Sequence, residues 1–123
     1  MVRVVIIEDE RLIAAELQSM LFNLQEEIEV VAVLCSIKDA KEYFTGDHNI
    51  DLVFSDIQLT DGLSFDLFDS VAKDIPVIFV TAFDRYVVNA FEHNGIDYLL
   101  KPVEARELQK VMNKYKMLDQ HFG

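Results

Sequence analysis

The sequence predicts one doubly wound α/β domain built on a five-stranded parallel sheet, and three observations carry that prediction. Five short apolar runs rich in Val and Ile recur along the 123 residues. Amphipathic stretches separate them, so strand-like and helical segments alternate from end to end. The runs are apolar at consecutive positions instead of alternate ones, which is the pattern of strands covered on both faces.

The first run, Val2 to Ile7, is the first strand. After it, Ile13, Leu17, Met20, Leu21 and Leu24 fall at i, i+4, i+7, i+8 and i+11, one stripe on a helix. Val30 to Cys35 is the second strand, with Cys35 expected as a small buried apolar side chain. Ser36 followed three residues later by Asp39 resembles a capping box with Asp in place of Glu or Gln, and it starts the second helix. Ile50 to Phe54 is the third strand, and Leu63, Leu67, Phe68 and Val71 suit a short third helix. Pro76 to Val80 is the fourth. Val87, Ala90 and Phe91 suit a fourth helix, which "HNG" closes with Gly95 as a left-handed cap. Ile96 to Leu100 is the fifth strand. Leu108, Val111, Met112 and Tyr115 then make an i, i+3, i+4, i+7 stripe on the fifth helix, and residues from about 118 to 123 are a tail or linker stub. No repeat or low-complexity tract interrupts the alternation, so residues 1–123 are expected to form a single domain.

Charge and composition exclude several function classes. Acids outnumber bases 22 to 11, for a net charge of -11. Such a surface repels a duplex or an anionic membrane, so direct nucleic-acid or membrane binding is not expected. No apolar run approaches the roughly 20 residues that cross a bilayer, and the N-terminus lacks a signal-peptide pattern, which leads us to expect a cytoplasmic protein. One cysteine forms no internal disulfide, and no zinc-ligand spacing is present. His48, in a loop, His93, near a helix end, and His121, in the tail, are expected as surface residues.

In open parallel sheets, ligands bind outside the carboxyl ends of the strands where strand order reverses. Those ends are chemically loaded. The first strand delivers Glu8 and Asp9, the third Asp56, the fourth Thr81 and the fifth Lys101. The second ends in Cys35 and Ser36, as expected if the order is 2-1-3-4-5 and that strand lies at an edge. Taken singly, each residue has a plainer role: a helix N-terminal acid, a turn aspartate, a strand hydroxyl, a solvated lysine. Their joint placement does not. Three carboxylates at one rim repel by roughly 3 to 4 kcal/mol per pair at about 4 to 5 Å in an effective dielectric near 20. Lys101 offsets part of that, and a hard divalent cation suits the remainder. Magnesium, with manganese as a substitute, is held by one or two carboxylates while keeping positions for waters and phosphate oxygens.

With these residues placed, the chain resembles the receiver domain of two-component response regulators over nearly its whole length. "IIEDE", "FSDIQLTDG", "VIFVTAFD" and "DYLLKP" occur in the family's order and approximate spacing. "TAFDRYVVNAFEHNGIDYLLKPV" is similar, more narrowly, to receivers that precede a LytTR-type DNA-binding domain. The resemblance implies a flavodoxin-like (βα)5 fold and a signalling domain that promotes only its own phosphorylation and dephosphorylation. It implies that Asp56 accepts a phosphoryl group from a histidine on a sensor kinase. Asp9, Asp56 and the main-chain carbonyl of Gln58 would ligate magnesium, with Glu8 assisting through water. Lys101 would pair with phosphoryl oxygens, Thr81 would donate its hydroxyl to one, and Tyr98 would be the switch aromatic. The Lys101-Pro102 peptide would be cis. Glu8 stands where the family more often has aspartate, which bears on the water-mediated geometry. Phosphorylation would repack the face of the fourth helix, fifth strand and fifth helix, where Phe83, Val87, Phe91 and Tyr98 contribute to a homodimer or partner surface.

Three other readings compete. A flavin-binding flavodoxin-like protein shares the topology, but "EDER" puts acids where a cofactor phosphate must sit, and the four glycines form no phosphate-cradling loop. An aspartyl-phosphate hydrolase would turn over small phosphate esters. A stand-alone receiver or docking module would have no DNA output; the complete Asp56, Thr81 and Lys101 set argues against a degenerate one. The chain ends soon after the fifth helix, so it is expected to be either a piece of a LytTR-type regulator, with its output domain outside these residues, or a stand-alone receiver.

Overall fold

In the computed structural model, residues 1–24, 26–83 and 95–122 are described, the side chains of 120–122 excepted. The first apolar run forms β1 (Val2–Ile7) and leads to α1 (Arg11–Asn23), β2 (Ile28–Leu34), α2 (Ile37–Thr45) and β3 (Leu52–Asp56). A small hairpin of β4 (Gln58–Leu59) and β5 (Gly62–Leu63) precedes α3 (Phe65–Asp69). Then come β6 (Val77–Thr81), β7 (Gly95–Leu100) and α4 (Ala105–Phe122). The main sheet runs β2-β1-β3-β6-β7, and every neighbouring pair is parallel. This is the 2-1-3-4-5 order that the strand ends suggested.

Burial explains the strand composition. All five residues of both β3 and β6 are buried, because these central strands have helices on both faces. Side chains alternate across the sheet. Val4, Ile6, Leu52, Phe54, Ile78, Val80 and Leu99 pack with α1 and α4. Val5, Ile7, Val53, Val77 and Phe79 pack with α2 and α3. The α4 stripe of Leu108, Val111, Met112 and Tyr115 is buried as its spacing predicted. Ser36 caps α2, its hydroxyl oxygen accepting from the Asp39 N–H at 3.1 Å.

Several expectations need correction. On α1 the buried centre is Ala14, Leu17 and Leu21, with Ile13, Met20 and Leu24 half-buried, so the stripe lies slightly to one side of the predicted one. Leu63 is not on the third helix: it sits in β5, 42% exposed, because the chain first makes a hairpin. Cys35 is exposed, since the edge strand β2 stops at Leu34 and the next residue has left the sheet. Gly95 is the first residue of β7, paired with Val77, and the helix it was expected to cap lies outside the described residues. The fourth helix expected around Val87, Ala90 and Phe91 lies outside the described residues, as does His93. His48 is half-buried instead of on the surface: its ring meets Phe44 edge-on at 5.2 Å, and its Nδ1 is buried without a hydrogen bond. The side chain of His121 is outside the described set. Among the described residues no helix is long and apolar enough to cross a membrane.

Candidate functional site

Strand alternation continues past the ends of the strands, and this builds the site. Glu8 lies two residues beyond Ile6, Asp56 two beyond Phe54 and Lys101 two beyond Leu99, all three on the α1 and α4 face. They therefore converge at one rim. The Lys101 Nζ is 2.6 Å from Glu8 Oε1 and 2.8 Å from Asp56 Oδ2. Asp9 completes an acidic cluster with Glu8 and Asp56, one carboxylate oxygen of each lying within 4.8 Å of the others. Glu8 is 4% and Asp56 7% exposed, while Asp9 is half-buried and faces water more.

Burial and pairing oppose each other here. Burial pushes the Glu8 carboxyl above its ordinary range, and the hydrogen bonds from Lys101 and from the Glu10 N–H only partly counter it. Burial acts to lower the Lys101 ammonium, but hydrogen bonds to Asp56 and Glu8 outweigh it and leave it raised. A largely apolar cavity of about 270 Å³ lies beside the rim, walled in part by Leu17, Met20, Pro102 and Val103.

The remaining predicted residues are placed as follows. The Gln58 N–H donates to Asp56 Oδ1 at 3.2 Å, so β4 begins directly beside the carboxylate. Thr81 is the last residue of β6 and fully buried; its Oγ1 accepts from the Phe83 N–H at 3.1 Å. The Lys101 N–H donates to the Thr81 carbonyl at 2.8 Å, which ties the ends of β6 and β7 together. Tyr98 is half-buried and packs against the core on the α2 and α3 side. Phe83 is 43% exposed. The Lys101-Pro102 peptide is cis.

Three residues were missed. Ser55 and Ser64 are fully buried, and both hydroxyls donate to the Asp56 main-chain carbonyl at 2.8 Å. Asp61 accepts from the Ile37 N–H at 3.0 Å and the Lys38 N–H at 3.1 Å, capping α2 from a distant loop. Those backbone hydrogen bonds hold its carboxyl below the ordinary carboxylate value. The Asp-Gly pair at 61 and 62 is a turn signal that pointed to this hairpin.

A parallel sheet with an ammonium and three carboxylates at its carboxyl edge defines a phosphate-handling α/β signalling domain more than a nucleotide fold, since no glycine-rich loop accompanies it. The chain belongs to the response regulator receiver domain family, whose model matches residues 4–113, and its role is that of a phosphoacceptor signalling domain. It is 39% identical over 114 residues to the sensory transduction protein LytT of Enterococcus faecalis, covering 90% of this chain and 46% of that protein. With LytT of Bacillus anthracis it shares 33% over 119 residues, covering 94% and 48%. The chain thus spans about half the length of the curated relatives it matches. The crystal structure of the response regulatory domain of mrkE from Klebsiella pneumoniae superposes with a TM-score of 0.79 at 25% identity, covering 94% of this chain and 98% of that one. The likeness to receivers of the LytTR subgroup that the motifs carried is met by these LytT relatives.

Proposed function

We propose that residues 1–123 are one receiver domain in which Asp56 accepts a phosphoryl group from a histidine of a sensor kinase. The observation that carries this reading is the Lys101 ammonium, 2.8 Å from the Asp56 carboxylate at a buried rim where two more acids sit. An Asp56 oxygen attacks phosphorus, the bond from phosphorus to the histidine nitrogen breaks, and an acyl phosphate forms. Lys101 then moves from the carboxylate to a phosphoryl oxygen, which keeps the added charge paired.

The donor set suits a hard cation: only oxygens are offered, and one ammonium does not balance three carboxylates. Asp9, Asp56 and the Gln58 carbonyl would hold magnesium, Glu8 assisting. When bound, it supplies positive charge to the transferring phosphoryl group. The Thr81 hydroxyl would donate to a phosphoryl oxygen, and Tyr98 would turn into the space this vacates. That repacks the β7 and α4 surface, which shifts a homodimer equilibrium. The domain acts on itself alone and works in the cytoplasm. LytT-type relatives about twice as long support an output beyond this chain, transcription through a LytTR-type DNA-binding domain. The net charge of -11 agrees with the receiver itself not touching nucleic acid.

Incubation with magnesium and acetyl phosphate, followed by intact mass, tests the assignment. One phosphate adduct is expected, absent in Asp56→Ala and in chelator. An adduct that persists in the variant removes Asp56 from its role.

A further inference from the structure

Between Asp56 and α3 the chain leaves the sheet, folds back as β4 and β5, and returns. Leu59 anchors this loop in the core, 5% exposed, while Gln58 faces water. Its turn is Thr60 and Asp61, and Gly62, the residue that follows and pairs with Leu59, has a φ of 137° that favours glycine; a Cβ there would also meet the Ile37 Cδ1 at 3.4 Å. At the inner side, the Ser64 N–H donates to the Ile57 carbonyl at 2.8 Å and the Ser64 hydroxyl donates to the Asp56 carbonyl. Ser55 takes the second lone pair of that same carbonyl. At the outer side, Asp61 grips the first turn of α2 with both carboxylate oxygens.

We propose that Ser64 and Asp61 are positioning residues that fasten the loop at its two sides, so that the Asp56 carboxylate and the Gln58 carbonyl stand ready before magnesium arrives. The inference rests on the reading of Asp56 and Gln58 as ligands. A loop fastened at one side only would have to be ordered on binding, and that ordering weakens affinity. Neither residue would be a ligand: Ser64 acts through the main-chain carbonyl of Asp56, and Asp61 through the hairpin it ties to α2, as outer partners of metal sites do. The Ser64 fastening is buried and the Asp61 one exposed, which makes Ser64 the stronger of the two.

Magnesium titration of wild type, Ser64→Ala and Asp61→Ala, followed by the backbone amide signals of Asp9, Asp56 and Gln58, tests this. Melting temperature in chelator is recorded alongside. The expected result is a Kd about tenfold weaker in Ser64→Ala and a smaller weakening in Asp61→Ala. A purely structural role would lower the melting temperature and leave the Kd of the folded protein at its wild-type value; that result overturns the inference. Should Ser64→Ala not fold, Asp61→Ala decides alone, because its side chain is exposed, and an unchanged Kd there is equally fatal. Wild type giving no magnesium response overturns the ligand reading and this inference together, whereas wild-type binding with unchanged variants overturns only the inference.

Discussion

Among the described residues of the rim, Asp9 is the carboxylate with which Lys101 makes no ion pair. Lys101 pairs with Glu8 and with Asp56, and Asp9 adds a third carboxylate to the same cluster. At the outer limit of 4.8 Å and an effective dielectric near 20, each like-charge pair amounts to roughly 3 kcal/mol, and the exposure of Asp9 reduces this to about 1 kcal/mol. In chelator, Asp9→Asn is therefore expected to melt about 3 to 5 °C higher than wild type by calorimetry. A clear decrease would mean that the rim is not strained. The same substitution removes a proposed ligand, so with magnesium present the order of the two proteins reverses. Glu8 adds to the strain: its raised carboxyl means that its ionised form opposes folding, an effect absent below the ordinary carboxylate value and growing as pH rises through the raised one.

At the scale of elements, α2 has two caps drawn from different parts of the chain. Ser36 serves the Asp39 N–H from within, and Asp61 serves the Ile37 and Lys38 N–H groups from the hairpin. Removing the second with Asp61→Ala is expected to lower stability by a few tenths to about 1 kcal/mol, measured by urea unfolding. The sign with pH follows from the lowered carboxyl of Asp61. A depressed folded value gives stability that is present above the ordinary value of 3.8 and lost as pH falls through the folded one. The gap between wild type and Asp61→Ala should therefore be full at pH 7 and shrink below about pH 4. A gap that widens in acid would show that the carboxylate does not hold the helix.

For the whole molecule, acidity and metal are linked. A chain of net charge -11 repels itself, and a dication placed at the acidic rim relieves the part that is concentrated there. Magnesium at ten times its Kd is expected to add about 1.4 kcal/mol, a rise of roughly 4 to 7 °C in melting temperature. The rise should vanish in chelator and in the Asp9→Asn, Asp56→Asn double variant. A shift that survives the double variant would place the ion elsewhere. The phosphorylated state uses the same rim, since acyl phosphate adds about one further negative charge where Lys101 and the metal can meet it.

Much of this was legible in the amino-acid order because it is local. Runs of Val and Ile report strands with two covered faces, the Leu108 to Tyr115 spacing reports a helix face, and acids directly after a strand report a rim. What tertiary structure decided is whatever joins distant segments. Cys35 reads as core by type, yet the end of an edge strand leaves it exposed; Leu63 reads as a helix residue, yet a hairpin takes it. Ser55, Ser64 and Asp61 have no periodic signature, because their roles depend on which carbonyl or helix end packs beside them. The sequence alone determined which groups reach the carboxyl edge of the sheet. Only the packed fold determined their distances, since a hydrogen bond between residues 24 or 45 positions apart exists only once the core has brought their elements together.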